Sequence, residues 1–456
     1  MADTIAAIAT GNVLSAIGII RLSGDTAIQV ADRVFFPASG RKMSSYPDRQ
    51  LVYGEFRDGD GNVLDVCLCT ISHGPGSYTG EDTAELQCHG SPTVLRAGLQ
   101  ALFAAGARQA LAGEYTKRAF LNGRMDLTQA EAVVDIINAE TVEAARNAAG
   151  QLLGAILKKT DAIYDSLVDI TSHYHAVLDY PDEDIDPFEL REYSGTLADA
   201  AKELQILLDS FDRGQVMTEG VRAAIVGRPN AGKSSLLNAL LGYDRAIVTD
   251  VPGTTRDTIE EKVRLGGVLL RLSDTAGLRG TDDPVEKIGV ERALSAAQGS
   301  QLVLAVFDGS QPMSEEDREA VQTAATAAHS VAIINKSDLP QVLDASVLEA
   351  GFDAVCRVSA LDKTGLDTLG AVIRDIFPAP DTVRAGEILT NARQADAVRR
   401  ALMSVNAARA AMDSGVTPDA VLTEAEGAMA ALGELTGRVV REDVTQRIFE
   451  RFCVGK

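Results

Sequence analysis

The sequence has no tryptophan and little cysteine, with only five cysteines among 456 residues. So few thiols exclude the dense disulfide framework of small secreted domains, and an odd number cannot pair completely. Apolar runs are also short, since none approaches the ~18 residues of a membrane span. The first residues lack the basic start of a signal peptide. We therefore expect a cytoplasmic protein without a membrane segment.

Positive charge is scarce. Lys and Arg total 43 against 65 Asp and Glu, which gives a formal net charge of −22. A protein that coats nucleic acid non-specifically needs a broad basic surface to neutralise phosphates, so this balance excludes that class. A local basic patch, or a basic partner that holds the nucleic acid, remains compatible with it.

The N-terminal part, residues 1–118, combines short β-type runs with turns and one helical stretch at 91–106, so it is expected to be an α/β domain. In that stretch Ser91 is placed to cap the helix and Pro92 to open it. The β-type runs are 16–22, 51–56 and 63–71.

The rest of the chain predicts a helical domain interrupted by a second α/β unit. Residues 119–216 and 380–456 are rich in good helix formers and contain little Gly or Pro punctuation. Residues 217–379 instead alternate apolar strands with helical stretches, the pattern of a parallel sheet wrapped by helices. We expect the two helical segments to form one discontinuous domain around this insertion, so the fold class is α/β and α, multidomain.

A phosphate-binding loop is the clearest motif. Residues 227–234 read Gly-Arg-Pro-Asn-Ala-Gly-Lys-Ser, which fits G-x-x-x-x-G-K-S and lies between an apolar strand and a helix. In such a loop backbone N–H groups cradle phosphates, Lys233 reaches the terminal phosphates and the Ser234 hydroxyl completes the shell of Mg²⁺. The residues expected at the nucleotide are Asn230, Ala231, Gly232, Lys233, Ser234 and Ser235.

Three further segments predict that the nucleotide is GTP. The DTAG segment at 274–277 ends a strand and can hold Mg²⁺ through water and the terminal phosphate through an N–H group. The Asp338 carboxylate can accept from the ring N–H and the amine of guanine, a pair of donors that adenine lacks. A backbone N–H after the next strand can donate to the guanine oxygen. The residues concerned are Asp274, Thr275, Ala276, Gly277, Asn335, Lys336, Asp338, Ser359 and Ala360.

The segment TDVPGTTRD at 249–257 lies where a switch loop should, and it resembles the switch of the Era- and TrmE-like GTPases. That resemblance implies that Thr255 binds Mg²⁺. Leu278 stands where Ras-like enzymes carry the glutamine that orients the attacking water. Glu286 or Glu291 could take that role through a water, and an exposed glutamate on a helix surface is the plain alternative.

The whole chain resembles the MnmE/TrmE family of tRNA-modification GTPases. The resemblance rests on motifs in every part of the sequence: GIIR at 18–21, YTGED at 78–82, EL at 85–86, HG at 89–90, GEYT at 113–116, RAFLNG at 118–123, DL at 126–127 and FCVGK at 452–456. It implies a GTPase that acts with a flavin-bearing MnmG (GidA) partner on the wobble uridine of certain tRNAs. A carboxymethylaminomethyl or aminomethyl group is added to carbon five, with the carbon taken from a one-carbon tetrahydrofolate bound in the N-terminal domain. A homodimer formed through that domain is also implied.

The resemblance also assigns residues. It implies that Arg21, Glu85, Arg124 and Lys456 bind folate and that Glu286 organises the hydrolytic water. It places K⁺ near Asn230, Thr249, Val251 and Thr254, and the nucleotide also near Asp250, Pro252, Gly253 and Thr255. Two departures stand out: the loop before GIIR reads TGNVLS at 10–15, and Arg124 replaces the family's lysine, so a planar fork replaces a compact ammonium.

The cysteines leave two questions open. Cys453 could be a reactive thiol at the modification site or a small buried residue. Cys67 and Cys69 share one face of a strand, and Cys88 and His89 lie elsewhere in the same domain. Without a C-x-x-C motif we expect these residues to pack in the core rather than to bind zinc.

Two rival functions fit part of the sequence. An Era-like, GTP-switched ribosome assembly factor would perform no modification chemistry, but such proteins usually carry a small basic RNA module, and the flanks here are helical and acidic. A free-standing folate aminomethyltransferase would have no use for intact GKS, DTAG and NKSD elements.

Overall fold

A computed structural model describes residues 3–11, 13–179, 189–243, 261–272, 297, 299–378, 386–438, 448–450 and 452–455. The chain divides into two compact units. The first comprises Met1–Val134, Gly150–Leu204 and Asp396–Lys456, and the second comprises Asp135–Ala149 and Gln205–Ala395. Among the described residues no helix is long and apolar enough to cross a membrane.

The first unit contains a seven-stranded sheet in the order β3-β4-β5-β6-β2-β1-β7. Neighbouring strands are antiparallel except for β1 and β7, which are parallel. The strands are β1 (Ile5–Ile8), β2 (Ile17–Ser23), β3 (Phe35–Pro37), β4 (Val52–Arg57), β5 (Val63–Ser72), β6 (Thr83–His89) and β7 (Arg108–Gln109). The α/β character expected for this part is confirmed.

One face of this sheet is covered by helices α1 (Ala27–Val34) and α2 (Pro92–Ala104). Their apolar side chains pack with Phe35, Phe56 and Leu86 in a core that also contains the predicted buried cysteines. Pro92 opens α2 as predicted. Ser91 occupies the capping position, but the prediction that it caps the helix is wrong for the side chain, which makes no capping hydrogen bond.

The helical part of the chain contains α3 (Glu114–Leu121), α4 (Leu127–Asn138), α5 (Val142–Leu152), α6 (Ala155–Asp179) and α7 (Ser194–Asp209) before the insertion. In the first unit, helix α6 packs against a helix that follows the insertion, Pro418–Thr436. The Tyr174 hydroxyl there donates to Asp419, and Arg438 lies 2.9 Å from Asp161. The two helical segments therefore meet at this helix pair, whereas residues 135–149, 205–216 and 380–395 of the expected helical domain belong to the second unit.

The second unit contains a six-stranded sheet in the order β13-β12-β11-β8-β10-β9, parallel except for the edge strand β9. Every residue of β11 is buried, as expected for a strand covered on both faces. The strands are β8 (Val221–Val226), β9 (Glu261–Leu265), β10 (Val268–Leu272), β11 (Leu302–Asp308), β12 (His329–Asn335) and β13 (Ala354–Arg357).

The remaining helices are α8 (Phe211–Glu219), α9 (Lys233–Tyr243), α10 (Glu315–Ala324), α11 (Ser346–Glu349), α12 (Leu366–Ile376), α13 (Ala392–Asp413) and α14 (Pro418–Thr436). In the second unit α9 and α12 pack on one face of the sheet and α10 on the other. This doubly covered parallel sheet is the architecture predicted for 217–379.

Candidate functional site

The parallel strands of the second unit bring three predicted loops, and a fourth that was not predicted, to one edge of the sheet. The loop at 227–232 follows β8, and Asp308, Asn335 and Ser359 lie at or just after the ends of β11, β12 and β13. In an open parallel sheet, ligands bind in the crevice outside these carboxyl ends. The arrangement therefore gathers at one place those of the sequence-predicted nucleotide residues that the structure describes.

The loop at 227–232 has a backbone that only particular residues can adopt. Asn230 and Gly232 have φ of 62° and 99°, in the left-handed region that glycine and asparagine tolerate best. A Cβ atom on Gly232 would overlap the side-chain amide of Asn335. Left-handed turns of this kind point successive N–H groups into one concavity, which binds anions.

Lys233 follows this loop directly and is the first residue of α9. Its ammonium donates to the carbonyl oxygens of Gly227 at 2.7 Å and Arg228 at 2.8 Å. Partial burial lowers the pKa of Lys233, because it removes water from around the charged ammonium. Ser234 and Ser235 follow on the exposed side of the first turn. A half-buried ammonium beside a helix N-terminus favours a polyanion such as a nucleotide phosphate.

Asn335 joins three of the predicted loops. Its side-chain amide donates to the Ala231 carbonyl oxygen at 3.1 Å, and its Oδ1 accepts from the Ala360 N–H at 3.1 Å. The residue is only 2% exposed. The phosphate loop and the two loops predicted to bind the base are therefore tied by one buried side chain, a role that the sequence pattern did not predict.

Asp338, the predicted guanine acceptor, is exposed beside Ser359. The Ser359 hydroxyl donates to Asp338 Oδ1 at 2.7 Å and accepts from the Asp362 N–H at 3.2 Å. The hydrogen bond orients the carboxylate and uses one of its two oxygens, so the other can accept from a base.

Sequence reasoning missed Asp308 at the end of β11. Its carboxylate accepts from the Lys336 ammonium at 2.6 Å. Burial raises the pKa of Asp308, but hydrogen bonds from Lys336 and Ser310 outweigh it and leave the pKa below its ordinary value. The sequence signal that could have identified Asp308 is its place in the segment VFDGS at 306–310. This segment lies at the carboxyl end of β11, which pairs with the strand that precedes the phosphate loop.

Several predicted nucleotide and metal residues lie outside the described part of the chain. They are Thr249, Asp250, Val251, Pro252, Gly253, Thr254, Thr255, Asp274, Thr275, Ala276, Gly277 and Glu286.

The first unit carries a second candidate site on the sheet face opposite its core. Thr70, Glu85 and Arg21 lie side by side across β5, β6 and β2. Arg21 Nε donates to Glu85 Oε1 at 2.8 Å, and both side chains are partly exposed. The Arg21 guanidinium lies 5.8 Å from the ring centres of both Tyr78 and Tyr115, which hold it by cation–π contacts.

Glu85 of this pair lines a cavity of about 340 Å³, whereas Arg21 lies behind Glu85 and does not line it. The lining of the cavity includes Arg49, Thr70, Tyr78, Glu85 and Gln87. The hydroxyl oxygen of Thr70 is buried and has no hydrogen-bond partner among the described residues. A carboxylate, a guanidinium and an unsatisfied hydroxyl in one concavity suit a ligand with several polar edges.

Arg118 forms ion pairs with residues of two sequence motifs, YTGED at 78–82 and GEYT at 113–116. Its guanidinium lies 3.0 Å from carboxylate oxygens of both Glu81 and Glu114 and 2.7 Å from that of Asp3. Burial raises the pKa of Glu114, but Arg108, the Leu111 N–H and Arg118 outweigh it and lower that pKa to about 2. The network fixes the loop 78–82 that borders the cavity.

The other predicted folate residues are placed differently. Arg124 is exposed and its stem approaches Gly80 in that loop, but the residue does not line the cavity. Lys456 lies outside the described residues. Cys453 is exposed, which contradicts the alternative of a buried small residue. Its carbonyl accepts from the Gly113 N–H, and Val454 bridges to Ala112.

Comparison with known proteins identifies relatives along the whole chain. The family model for the MnmE helical domain matches residues 127–453, and that for the GTP-binding protein TrmE N-terminus matches residues 4–124. The tRNA modification GTPases MnmE of Roseiflexus sp. (strain RS-1) and Symbiobacterium thermophilum are each 43% identical, over 465 and 456 residues. That of Clostridioides difficile (strain 630) is 39% identical over 457 residues. Each alignment covers 100% of this chain and 99% of the relative.

Proposed function

The chain belongs to the MnmE/TrmE family of tRNA-modification GTPases, and we propose that it modifies carbon five of the wobble uridine using a one-carbon tetrahydrofolate. The added group is carboxymethylaminomethyl or aminomethyl. The reaction is shared with a flavin-containing MnmG (GidA) partner that carries FAD. GTP binding and hydrolysis take place in the second unit.

The folate assignment rests on one observation, the Arg21–Glu85 pair beside the cavity of about 340 Å³. Glu85 uses one carboxylate oxygen for Arg21, so the other can accept from the amine and ring N–H of a pterin. The positive charge of Arg21, with Arg124 and Lys456 implied by the family pattern, suits the glutamate tail. The unpartnered Thr70 hydroxyl offers a further hydrogen bond.

For GTP hydrolysis we propose that Ser234 and Thr255 hold Mg²⁺ and that Asn230, Thr249, Val251 and Thr254 hold K⁺. Asn230 is exposed at the left-handed turn of the phosphate loop, where its oxygen is accessible to a cation beside the phosphates. A cation there supplies charge that an arginine finger supplies in other GTPases. Lys233 neutralises the phosphates, and Glu286 orients the water because Leu278 cannot.

We further propose a cytoplasmic homodimer formed through the N-terminal domain, with tRNA as the substrate. Val13, Leu14 and Ile17 support the dimer, because their apolar side chains are 60–85% exposed and adjacent in sequence. Contiguous exposed apolar surface marks association sites more often than free surface.

Titration of the full chain with 5-formyltetrahydrofolate, a stable one-carbon folate, tests the folate site. We expect Glu85→Gln to weaken binding about tenfold to a hundredfold, since a hydrogen bond to a charged group contributes roughly 1.5–3 kcal/mol. Glu55→Gln is the matched control, because Glu55 pairs with Arg57 on a neighbouring part of the same sheet. Unchanged folate affinity in Glu85→Gln would remove the site from the proposal.

Mass analysis of wobble nucleosides from cells lacking this protein tests the reaction itself. Loss of the modified uridine, restored by the Glu55→Gln gene and not by Glu85→Gln, is the expected result. Intact wobble nucleosides together with defective ribosome assembly would instead favour the Era-like function.

A further inference from the structure

Three potential metal ligands meet on the core face of the N-terminal sheet. Asp65 and Cys67 lie two residues apart on β5, and Cys88 lies opposite Cys67 on β6, as the pairing of Leu68 with Gln87 requires. One ligand atom from each of the three side chains lies within 4.8 Å of the other two. This face is opposite the one that carries Arg21 and Glu85, so the cluster is separate from the proposed folate site.

The sulfur separation matches that of a metal-bound pair. Cys88 Sγ lies 3.9 Å from Cys67 Sγ. Two zinc–sulfur bonds of ~2.3 Å that meet at a tetrahedral angle hold their sulfurs roughly 3.8 Å apart. A disulfide bond is only ~2.05 Å long, so this spacing does not correspond to a pair on the point of oxidation.

We propose that Asp65, Cys67 and Cys88 bind a thiophilic divalent cation of the zinc type. The three side chains supply two thiolates and one carboxylate, and the fourth tetrahedral position is taken by water or another small ligand. This assignment differs from the sequence expectation of simple core packing, which still describes Cys69.

The presence of Asp65 distinguishes the cluster from ordinary core packing. A carboxylate next to two buried thiols costs desolvation energy and contributes nothing to apolar packing. Its side chain is only 10% exposed, and Cys67 and Cys88 are 5% and 2% exposed.

His89 holds the carboxylate in place. Its backbone N–H donates to Asp65 Oδ2 at 2.8 Å, and its ring Nδ1 lies 2.8 Å from Oδ1. Hydrogen bonds of this kind orient metal-ligating groups, and losing one typically costs 10–100-fold in metal affinity. The His89 side chain is 76% exposed, so the site lies at the rim of the core, where an ion can enter.

Cobalt titration of the tag-free, reduced, chelator-treated full chain tests the site. We expect one Co²⁺ per chain with sulfur-to-cobalt charge-transfer absorption, displaced by Zn²⁺. Cys67→Ser and Cys88→Ser should each weaken Zn²⁺ binding at least tenfold and reduce the absorption. Cys69→Ser is the matched control, because Cys69 is buried on the same strand face, and it should keep both properties.

His89→Ala and Asp65→Asn test the site without changing a cysteine, so they distinguish loss of metal binding from a folding defect of the cysteine variants. His89 is exposed, so its loss should leave the far-ultraviolet circular dichroism unchanged while Zn²⁺ affinity falls about tenfold. The absence of thiolate absorption in the wild type would overturn the proposal. So would equal loss of metal binding in Cys69→Ser, full affinity in both His89→Ala and Asp65→Asn, or a Cys67–Cys88 disulfide in the isolated protein.

Discussion

Asn335→Ala should loosen the three loops that we propose to bind GTP. The side chain satisfies two backbone groups, the Ala231 carbonyl and the Ala360 N–H, and is 2% exposed. Alanine leaves both groups buried without that partner, and each such loss costs about 1–3 kcal/mol. We therefore expect a combined cost of roughly 2–6 kcal/mol within the nucleotide-binding unit.

This cost should appear mainly in nucleotide affinity, because GTP must reorder the loosened loops before it can bind. At 1.4 kcal/mol per tenfold, the loss corresponds to an affinity about 30- to 20,000-fold weaker. Fluorescence of a methylanthraniloyl-GDP probe measures it directly, and the absence of tryptophan in this chain removes the main competing protein signal.

Asn238→Ala is the matched control for this experiment. Asn238 is an exposed amide on α9 in the same unit, and its loss should change stability by less than ~0.5 kcal/mol. If Asn335→Ala binds the probe within threefold of the wild type and melts at the same temperature, the loops are not coupled through this side chain and the reasoning fails.

Three further predictions concern other parts of the molecule. Gly232→Ala should abolish measurable GTP binding because its Cβ would overlap Asn335, whereas Gly195→Ala, which has open space around it, should bind GTP normally. GTP turnover should require K⁺ and fall severalfold when Na⁺ replaces it, in keeping with the cation site assigned to Asn230; equal rates in both salts would contradict that assignment. The pKa of Glu114 is lowered to about 2, so its ion pairs contribute on the order of 2–3 kcal/mol to the free energy of unfolding. This contribution is complete above the pKa of an unfolded glutamate, near 4.3, and is lost as the pH falls toward 2. Glu114→Gln should therefore lower the melting temperature at pH 7 and flatten its fall in acid, and an identical acid profile in both proteins would count against the ion-pair network.

Local patterns in the sequence were enough to predict many of the elements. The runs 16–22, 51–56 and 63–71 correspond to Ile17–Ser23, Val52–Arg57 and Val63–Ser72, and the stretch 91–106 contains the helix Pro92–Ala104. These predictions succeed because the alternation of apolar and polar residues in strands, and the residues that start helices, act over a few neighbouring positions. The phosphate loop was equally predictable, because its glycines are required by a backbone conformation that depends only on neighbouring residues.

Features that depend on strand order were not predictable. Asn335 reaches Ala231 across 104 positions, and Asp308 meets Lys336 only because β11 and β12 are neighbours. Cys67 and Cys88 come together through the register of β5 and β6, which no short motif encodes. The side chains that join loops are therefore the part of the site that a single sequence reveals least.

The pairing of α6 with α14 has a consequence for synthesis on the ribosome. About 240 residues separate the end of α6 at Asp179 from the start of α14 at Pro418, so at ~5–20 residues per second the partner helix emerges roughly 12–48 s later. During that interval the face of α6 that packs against α14 in the folded protein is not covered by it. The nascent chain should therefore engage a hydrophobic-segment chaperone such as a ribosome-associated holdase until the last helices are made.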